Sequence, residues 1–467
     1  EGYRQVDCPG REVQPMKQLA MRLLGRHTFA HGIHPPESKD DTRGLAIHQF
    51  PFADRLIVPL SQHIGRPAIA VVGEGDEVVR GQMIAKPDGF LSVAIHAPAS
   101  GVIRAIAPSP VISGKMELAF FIDVFPSSTQ EVAEGRPLAA DDASGEEIIG
   151  AIQSAGIVGL GGAGFPTHAK LKVPPDKHVD TLLINGAECE PYLTTDHRVM
   201  LEQADQVMSG IPLLLRATGA KRAIIAVEAN KPDAAEALQR CIPDEAPICV
   251  EILPVKYPQG AEKMLITALL GREVPSGGLP ADVGVVCVNV GTTAEIGKLL
   301  PHGWGLQERV ITVAGPAIKK KGNYRIPIGT TLRFILETVG TEEDLTTVIM
   351  GGPMMGAAAS SLDIPITKGS TGVIAFTERQ TGPITQRRQY PCIRCGHCVE
   401  ACPMLLNPAR LGLLAKVGDY TSMETDHHLF DCFECGCCTF VCPSHIPLVQ
   451  QFRVAKKAIR KTRRAAG

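Results

Sequence analysis

The stretch from Cys392 to Pro403 reads Cys-Ile-Arg-Cys-Gly-His-Cys-Val-Glu-Ala-Cys-Pro, and it decides the fold of the C-terminal part of this chain. A second stretch, from Cys432 to Pro443, reads Cys-Phe-Glu-Cys-Gly-Cys-Cys-Thr-Phe-Val-Cys-Pro and repeats the same spacing of cysteine and proline. Each copy therefore follows the pattern C-x2-C-x2-C-x3-C-P, which is a pattern of metal-cluster ligands. The upstream chain is expected to deliver electrons to these sites or to remove them.

The spacing is typical of bacterial-type ferredoxins, in which the fourth cysteine of each run ligates the other four-iron, four-sulfur cluster. Two sets of ligands are therefore predicted: Cys392, Cys395, Cys398 and Cys442 for cluster A, and Cys432, Cys435, Cys438 and Cys402 for cluster B. Zinc sites usually use paired C-x2-C or His sets, and disulfide frameworks belong to small secreted domains. Both alternatives fit the pattern less well, and Cys437 is interpreted as a bystander.

The composition describes a globular chain of several domains. Its 467 residues correspond to about three domains on a length prior. The formal net charge of -2 excludes the strongly basic character of nucleic-acid-binding domains. The sequence contains no apolar run of about 18 residues and no signal-peptide pattern, so we expect no membrane-spanning segment.

Residues 1–60 are expected to form an N-terminal extended segment. Its histidine-rich part, residues 29–39, contains His31 and His34, and His27 stands just before it. The three histidines have helix-like spacing and could bind a metal, whereas the glycine and the Pro-Pro pair among them indicate an irregular segment. A metal site and a loop that packs or faces a partner both stay open, and the loop is favoured.

Residues 61–130 are expected to form a barrel-sandwich hybrid domain, because short β-like runs alternate with glycine-rich turns. Residues 75–85 and 96–103 resemble one hairpin repeat of the biotinyl- and lipoyl-type carriers. Those carriers hold their prosthetic group on a lysine at the hairpin tip, where this chain has the residues Asp88 to Leu91. We therefore expect a structural barrel.

Residues 140–304 are expected to form a Rossmann-like α/β domain. Three short apolar runs, residues 179–185, 223–228 and 283–289, end in polar loops and have the pattern of buried parallel strands. Ligands of such sheets bind beyond the carboxyl ends of the strands. Upstream, the glycines of residues 157–170 would let backbone N–H groups approach a phosphate or a flat ring. From this stretch alone, nucleotide binding and an ordinary glycine-rich turn are equally good interpretations.

Three further units follow along the chain. Residues 305–375 combine two strand-like runs with an amphipathic helix and suggest a β-grasp (SLBB-like) domain, in which Lys319 to Lys321 form a solvated turn or a partner contact. Residues 385–450 form the predicted ferredoxin-like domain with its two clusters. Residues 451–467 are a basic C-terminal helix, which could lie on an anionic membrane face or be solvated.

Together these features resemble the family of C subunits of the Rnf complexes, which are membrane-bound NAD:ferredoxin oxidoreductases. The resemblance runs from Gly-Ile-His-Pro-Pro-Glu-Ser-Lys at residues 32–39 to the double cysteine motif. The central part is similar to the flavin subunit of respiratory complex I, through Gly-Gly-Ala-Gly-Phe-Pro-Thr at residues 161–167. The implied fold is multidomain, α/β plus β: a barrel-sandwich (biotinyl/lipoyl-like) N-terminal domain, a Rossmann-like α/β flavin domain, a β-grasp-like (SLBB-type) unit and a helical two-cluster ferredoxin-like domain.

Residues 185–191, 257–262 and 288–293 match loops of the complex I flavin protein that contact FMN and NADH. The resemblance implies FMN contacts from the following residues: Gly159, Gly161, Gly162, Gly164, Lys170, Asn185, Glu188, Tyr257, Gly260, Glu262, Asn289 and Thr293. It implies that Phe165 stacks on the nicotinamide ring and that Glu190 binds the ribose hydroxyls of NAD(H). The chain departs from the complex I pattern at Leu160, Ala187, Ala261 and residues 276–280.

The implied function is that of an electron-transfer subunit in an ion-translocating NAD:ferredoxin oxidoreductase. NAD(H) exchanges a hydride with FMN, and single electrons pass through the two clusters to other subunits, including an iron–sulfur subunit that exchanges electrons with ferredoxin. The implied location is peripheral, on the cytoplasmic face of the bacterial inner membrane. The alternative is a non-catalytic wiring or scaffold subunit that holds the clusters without a flavin. The FMN content of the isolated protein separates the two.

The crossed assignment of ligands predicts the effect of one substitution. Cys402→Ala should disturb the cluster of Cys432, Cys435 and Cys438, because Cys402 is assigned to their set although it belongs to the other run. Low-temperature EPR of the reduced protein measures this effect. A change confined to the signal of cluster A would show that the crossed assignment of the fourth cysteines is wrong.

Overall fold

The computed structural model describes residues 28–385 and 387–466, so part of the predicted N-terminal segment, including His27, lies outside the described residues. Four sheets and a C-terminal group of helices make up this part of the chain. Among the described helices, none is both long and apolar enough to span a bilayer.

Eight short strands precede the first described helix: β1 (Ile47–Gln49), β2 (Arg55–Pro59), β3 (Ile69–Ala70), β4 (Glu77–Val78), β5 (Met83–Lys86), β6 (Ile95–His96), β7 (Gly101–Pro110) and β8 (Met116–Val124). Seven of them form the two facing sheets of the barrel, in the orders β2-β8-β7-β4 and β3-β5-β6. Apolar side chains fill its interior, and Ile84, Ile103 and Phe120 are fully buried. The barrel-sandwich expectation is confirmed by these sheets.

The central domain contains four strands and seven helices: α1 (Gly145–Ser154), α2 (Thr167–Leu171), β9 (Thr181–Gly186), α3 (Thr195–Glu202), α4 (Ala204–Thr218), β10 (Arg222–Glu228), α5 (Pro232–Arg240), β11 (Ile248–Leu253), α6 (Glu262–Leu270), β12 (Val285–Asn289) and α7 (Val290–Leu299). The strands are parallel, in the order β11-β10-β9-β12. The three apolar runs of the sequence are β9, β10 and β12, and they are almost wholly buried because helices cover both faces of the sheet.

The backbones of helices α4 and α7 are in direct contact. This contact fixes the position of the first turn of α7 relative to α4. A Cβ atom on Gly297 of α7 would lie 2.1 Å from the carbonyl oxygen of Gln206. A Cβ atom on Gly210 of α4 would lie 2.1 Å from the carbonyl oxygen of Thr293. Only glycine permits this approach. It holds the first turn of α7 against the carboxyl ends of β9 and β12.

The third sheet has six strands and includes a strand from the N-terminal segment. Its further elements are β13 (Glu308–Ala314), β14 (Gly322–Pro327), α8 (Leu332–Val339), β15 (Leu345–Met350), β16 (Ala357–Ala358), β17 (Gly372–Thr377) and α9 (Glu378–Thr385). The strand order is β1-β14-β13-β17-β15-β16, and β1 pairs in parallel with β14. The N-terminal segment is therefore part of this sheet, a pairing that the sequence did not predict.

The C-terminal domain consists of five helices: α10 (His397–Glu400), α11 (Pro408–Val417), α12 (Tyr420–Thr425), α13 (Cys437–Phe440) and α14 (Leu448–Ala466). Helix α14 buries Phe452, Ala455 and Ile459 against the rest of the domain. Several of its basic side chains are engaged: Arg453 and Lys456 both pair with Glu434. The inner face of the predicted basic helix is therefore part of the ferredoxin-like core.

The contact between α4 and α7 predicts the effects of a matched pair of glycine substitutions. Gly297→Ala should destabilise the fold by about 1–3 kcal/mol, because the added methyl group collides with backbone. Gly150→Ala, at an exposed position of helix α1, adds a methyl group that meets no atom within 4 Å and should stabilise the fold by roughly 0.5–1 kcal/mol. Thermal melting of the two variants measures the difference. An unchanged melting temperature for Gly297→Ala would contradict the close packing.

Candidate functional site

The glycine-rich loop lies between Val158 and Pro166, which form an isolated β-bridge. Gly162 and Gly164 have positive φ angles, +106° and +61°, which favour glycine. The loop turns its backbone toward the start of α7, and a Cβ atom on Gly161 would lie 3.3 Å from the side-chain amide of Asn289. The loop and the start of α7 therefore lie against each other.

A buried arginine, which the sequence analysis did not identify, stabilises this loop by hydrogen bonds to its backbone. Arg309 on β13 donates a hydrogen bond of 2.8 Å to the carbonyl oxygen of Leu160 and further bonds to that of Ser370. Burial lowers the pKa of Arg309 to about 10. The Leu160 N–H donates to the hydroxyl of Thr292 at 2.9 Å. The only sign of this role in the sequence is that Arg309 is a charged residue at the start of an apolar run.

The loop after β9 and the segment before α6 meet at the carboxyl edge of the sheet. The side-chain amide of Asn185 donates to the carbonyl oxygen of Gly260 at 2.8 Å. A Cβ atom on Gly260 would lie 2.3 Å from the carbonyl oxygen of Ala187, so this position requires glycine. Lys170 and Glu262 form an ion pair of 2.6 Å. These contacts bring four of the residues predicted to contact FMN together: Asn185, Gly260, Lys170 and Glu262.

Glu188 is buried and caps helix α3. Its carboxylate accepts hydrogen bonds from the backbone N–H groups of Asp196, at 2.9 Å, and His197. Its carbonyl oxygen accepts a hydrogen bond from Lys39 of the N-terminal segment, and burial lowers the pKa of that lysine. The N-terminal segment is therefore tied to the candidate site by a buried cation.

Asp196 is a second residue that the sequence reading missed. Its carboxylate accepts a hydrogen bond of 2.7 Å from the side-chain amide of Asn289. Burial and the neighbouring Glu188 raise the pKa of Asp196 to about 7. Asn289 also caps α7 by accepting from the Thr292 N–H, and Thr293 is fully buried in the next position. Asn289 thus joins the start of α7 to a carboxyl group that is poised to change charge near neutral pH.

The two residues assigned to the nicotinamide nucleotide lie in different surroundings. Phe165 is half-buried, and its carbonyl oxygen accepts a hydrogen bond of 2.8 Å from Gly159. The Glu190 carboxylate accepts from the N–H groups of Met354 and Met355, at 3.0 and 2.8 Å, and burial raises its pKa. Glu190 therefore already holds the loop that follows β15.

Tyr257 joins the central domain to the cysteine motifs. It is 1% exposed, and its hydroxyl donates a hydrogen bond of 2.7 Å to the carbonyl oxygen of Cys435. Ile33 and Cys437 pack in the same apolar cluster, so Cys437, the surplus cysteine, is a buried packing residue. The contact places a predicted flavin residue directly against a predicted cluster ligand.

The two cysteine runs lie close together in the C-terminal domain. Cys438 belongs to its apolar core, and Cys398 and Cys432 pack against the same core. The division of the cysteines into two crossed ligand sets stays a prediction.

The histidine-rich segment packs on the C-terminal domain. His31 Nδ1 lies 2.5 Å from the carbonyl oxygen of Glu400, and Ile33 pairs with Tyr257 in an isolated bridge. The contacts support the packed-loop interpretation for the part of the segment that is described.

Comparisons with known proteins agree with this arrangement. Three family models match: the RnfC barrel sandwich hybrid domain at residues 27–124, the Nuo51 FMN-binding domain at 152–298, and the 4Fe-4S dicluster domain at 388–446. The C subunit of the proton-translocating ferredoxin:NAD(+) oxidoreductase complex of Clostridium ljungdahlii is 45% identical over 393 residues, which cover 83% of this chain and 84% of that protein. The chain belongs to the family of Rnf complex C subunits.

Two other family members and one solved structure show the range of similarity. The C subunit of the Na(+)-translocating ferredoxin:NAD(+) oxidoreductase complex of Acetobacterium woodii is 42% identical, over 82% of this chain and 86% of its own. The C subunit of the ion-translocating oxidoreductase complex of Pseudomonas aeruginosa is 41% identical, over 94% and 56%. A chain of an NAD+-reducing [NiFe]-hydrogenase, in the air-oxidised state, is 19% identical with a TM-score of 0.49, over 71% and 69%.

This member of the Rnf family therefore has an FMN-binding domain and a 4Fe-4S dicluster domain, and its residues fit both groups. Gly161 lies next to Asn289 at the start of α7, and the dipole and first N–H groups of a helix favour a phosphate. Burial raises the pKa values of the Cys398 and Cys402 thiols and brings that of Cys432 to about 11. Such crowded thiols need a cationic centre to ionise together, which an iron–sulfur cluster provides.

The buried carboxyl of Asp196 in this Rnf protein predicts a pH effect. Its pKa is about 7 in the folded protein and 3.8 in the unfolded chain. Between these values the folded state binds more protons, so fold stability decreases as the pH rises through this window. Asp196→Asn should remove that decrease, and its melting temperature should exceed that of the wild type more at about pH 8 than at about pH 6.

The matched control is Asp141→Asn, which changes an exposed aspartate. Thermal melting at the two pH values measures all three proteins. Parallel pH dependence in the Asp196 variant and the wild type would show that Asp196 does not titrate in this range.

Proposed function

We propose that this chain is the electron-transfer subunit through which NAD(H) exchanges electrons with an ion-translocating ferredoxin:NAD oxidoreductase complex. The proposal is supported by the names of the relatives and by the FMN-binding and 4Fe-4S dicluster models that match this chain. One contact carries it: the hydrogen bond from Tyr257 to the Cys435 carbonyl joins the flavin pocket to the cluster B loop. In this proposal, a hydride acceptor and a one-electron carrier are direct neighbours.

FMN supplies the conversion between two-electron and one-electron chemistry, and the protein supplies position and electrostatics. The proposed FMN-binding residues are those that the resemblance to the complex I flavin protein implies: Gly159, Gly161, Gly162, Gly164, Lys170, Asn185, Glu188, Tyr257, Gly260, Glu262, Asn289 and Thr293. The start of α7 is assigned to the phosphate, and the carboxyl edge of β9 to the ring system. No general acid or base is assigned, because hydride transfer requires neither.

Glu190 and Phe165 are the proposed contacts of NAD(H). An ionised carboxylate has about four lone-pair sites, and the two N–H groups of Met354 and Met355 use only part of them. Glu190 can therefore accept ribose hydroxyls while it holds the loop after β15. The loop that Glu190 holds also contacts the second cysteine run, because Gly436 packs on the Met354 carbonyl oxygen. This loop therefore connects the proposed nucleotide site with the proposed cluster B.

Exposure of the ligands supports an order for the two clusters. Cys402 and Cys438 of cluster B are buried, and Cys435 contacts Tyr257. Cys395 of cluster A is exposed. Electrons are therefore proposed to pass between the flavin pocket and cluster B first, and between cluster A and another subunit last. A peripheral location on the cytoplasmic face of the bacterial inner membrane belongs to the same proposal.

Anaerobic titration with NADH tests this function on the purified, cluster-replete chain. Flavin absorbance should bleach before the EPR signals of the clusters grow. Glu190→Gln should retain FMN and slow the bleaching by on the order of tenfold, because a charge-assisted hydrogen bond to the nucleotide is lost. Glu146→Gln, on the exposed start of α1, is the matched control.

Two outcomes would contradict the proposal. A protein that contains no flavin, and whose clusters respond only to dithionite, would be a wiring and scaffold subunit. Unchanged bleaching in Glu190→Gln would remove Glu190 from the nucleotide pocket and leave it as a structural support of the loop after β15.

A further inference from the structure

A cleft of about 630 Å³ lies between the barrel and the central domain, and none of its lining residues belongs to the candidate site. Its walls come from β5 and β6 of the barrel, from helix α1, from residues 300–304 and from residues 136–143. The last of these are part of the connector, residues 125–144, which joins the barrel to α1. Small-molecule sites have volumes of roughly 300–1,000 Å³ and often lie at domain interfaces.

The cleft is separated from the proposed flavin phosphate by the length of helix α7. The phosphate is assigned to the start of this helix at Val290, whereas Leu300, which lines the cleft, directly follows its end. A helix of ten residues is about 15 Å long. The cleft and the flavin pocket are therefore two different places in the fold.

The connector is held in position on the central domain. The Leu138 N–H group donates a hydrogen bond of 3.0 Å to the carbonyl oxygen of Leu300. Arg216 of α4 donates a hydrogen bond of 3.1 Å to the carbonyl oxygen of Ala143. The wall that the connector gives to the cleft is therefore fixed, as is usual for small-molecule sites, which are largely preformed.

His96 of β6 lies in the wall of this cleft with an unused polar atom. The residue is 7% exposed, and its Nδ1 atom is buried without a hydrogen-bond partner among the described residues. Burial lowers the pKa of His96 to about 3, so the ring is neutral and has one donor and one acceptor. Buried polar groups are nearly always hydrogen-bonded, so this ring calls for a partner from the cleft.

The side of the cleft next to His96 is aromatic and apolar. Trp304, the only tryptophan of the chain, is half-buried there. Its ring stacks on His302 with a centroid distance of 4.4 Å and an interplanar angle of 23°, which leaves the second face of the indole for another ring. Met83 and Pro137 also line the cleft. Such a surface is a platform for a flat heteroaromatic ring, because every nucleobase has a π-face that stacks on an aromatic side chain.

Two unpaired charges of opposite sign lie at the rim. The side chains of Arg136 and Asp142 are exposed and form no ion pair with any described residue. The other acidic residue of the cleft, Glu147, is already engaged by the N–H group and the hydroxyl of Ser144. A free guanidinium group binds phosphate through two parallel hydrogen bonds, and a free carboxylate accepts hydrogen bonds from hydroxyl groups.

We propose that this cleft binds a purine nucleotide, at a site separate from those of FMN and NAD(H). The base stacks on Trp304 and pairs with His96, the ribose hydroxyls donate to Asp142, and the phosphate binds Arg136. The inference goes beyond the proposed function and does not depend on it. The bound nucleotide would also hold the barrel against the central domain, since both contribute to the cleft.

The combination of groups favours a nucleotide over simpler ligands. A flat apolar molecule would use the indole but neither the imidazole nor the two charges at the rim. Inorganic phosphate would use Arg136 but not the aromatic wall. A nucleotide uses all four groups, because it carries a flat ring with a polar edge, a pair of hydroxyls and an anion.

Titration of the purified, cofactor-loaded chain with adenosine monophosphate (AMP) tests the proposal. Because Trp304 is the only tryptophan, selective excitation of tryptophan reports on this cleft. AMP should change the fluorescence in a saturable way, with a midpoint below about 1 mM. Adenosine and then adenine should bind progressively more weakly, because they lack the phosphate and then also the ribose.

Two exposed substitutions separate the contributions of the rim. Arg136→Ala should weaken AMP binding by about tenfold and leave adenosine binding unchanged, because only AMP has a phosphate. Asp142→Asn should weaken both AMP and adenosine severalfold and leave adenine binding unchanged, because adenine has no ribose. The matched controls are Arg104→Ala, at an exposed position of β7, and Asp141→Asn, at the exposed position next to Asp142. Both should bind AMP as the wild type does.

NADH titration keeps this test separate from that of the proposed function. Bleaching of the flavin by NADH should be the same in the wild type, Arg136→Ala and Asp142→Asn. Glu190→Gln should retain the AMP-dependent change in Trp304 fluorescence. A chain that binds AMP in this way but is not reduced by NADH would contradict the proposed function and leave the nucleotide site in place.

Four results would overturn the proposal. The first is no AMP binding either by Trp304 fluorescence or by equilibrium dialysis. The second is equal AMP affinity of the wild type, Arg136→Ala and Arg104→Ala. The third is adenine binding as tight as AMP binding, which would make the cleft a site for flat rings alone. The fourth is AMP binding that Glu190→Gln abolishes and Arg136→Ala does not, which would assign AMP to the NAD(H) site.

Discussion

The buried contact of Tyr257 with Cys435 is the constraint on which the rest of this structure depends. Electrons move between two sites only if the protein holds them close together and in a fixed orientation. Tyr257 is 1% exposed, and its cluster of neighbours includes Ile33, Met354 and Cys437. These residues come from the N-terminal segment, the loop after β15 and the second cysteine run. Four parts of the chain are thus anchored at one point between the flavin pocket and cluster B.

Buried charges add specificity to this assembly at a cost in stability. Lys39 and Glu188 lie beside Lys231 and Glu228, which form a 2.7 Å ion pair with almost no exposure. Desolvation of two ions is expensive, and their attraction often only offsets it. We infer that the value of this network is positional: Lys39 can satisfy its charge only when the N-terminal segment lies against the loop after β9. The segment also contributes β1 to the β-grasp sheet.

Much of the fold and part of the site could be predicted because their signals are local. The apolar runs that became β9, β10 and β12 are visible since strands buried on both faces need continuous apolar sequence. The cysteine spacing is equally local. Arg309, Asp196 and Lys39 could not be found this way, because each acquires its role from a partner distant in sequence: Leu160, Asn289 and Glu188 respectively. A lone polar residue carries no sign of such a partner.

The sequence by itself determined the kinds of domain, the two cysteine motifs and the glycine-rich loop, since each is encoded in the spacing of a few neighbouring residues. The tertiary structure alone decided which of the two cysteine runs lies against the FMN-binding domain. The two cysteine runs have the same spacing, and nothing local distinguishes their environments. Only packing shows that Phe433 is covered by the flavin domain whereas Ile393 is exposed. The proposed direction of the electron path rests on that asymmetry, because a domain can cover only one of two equivalent faces.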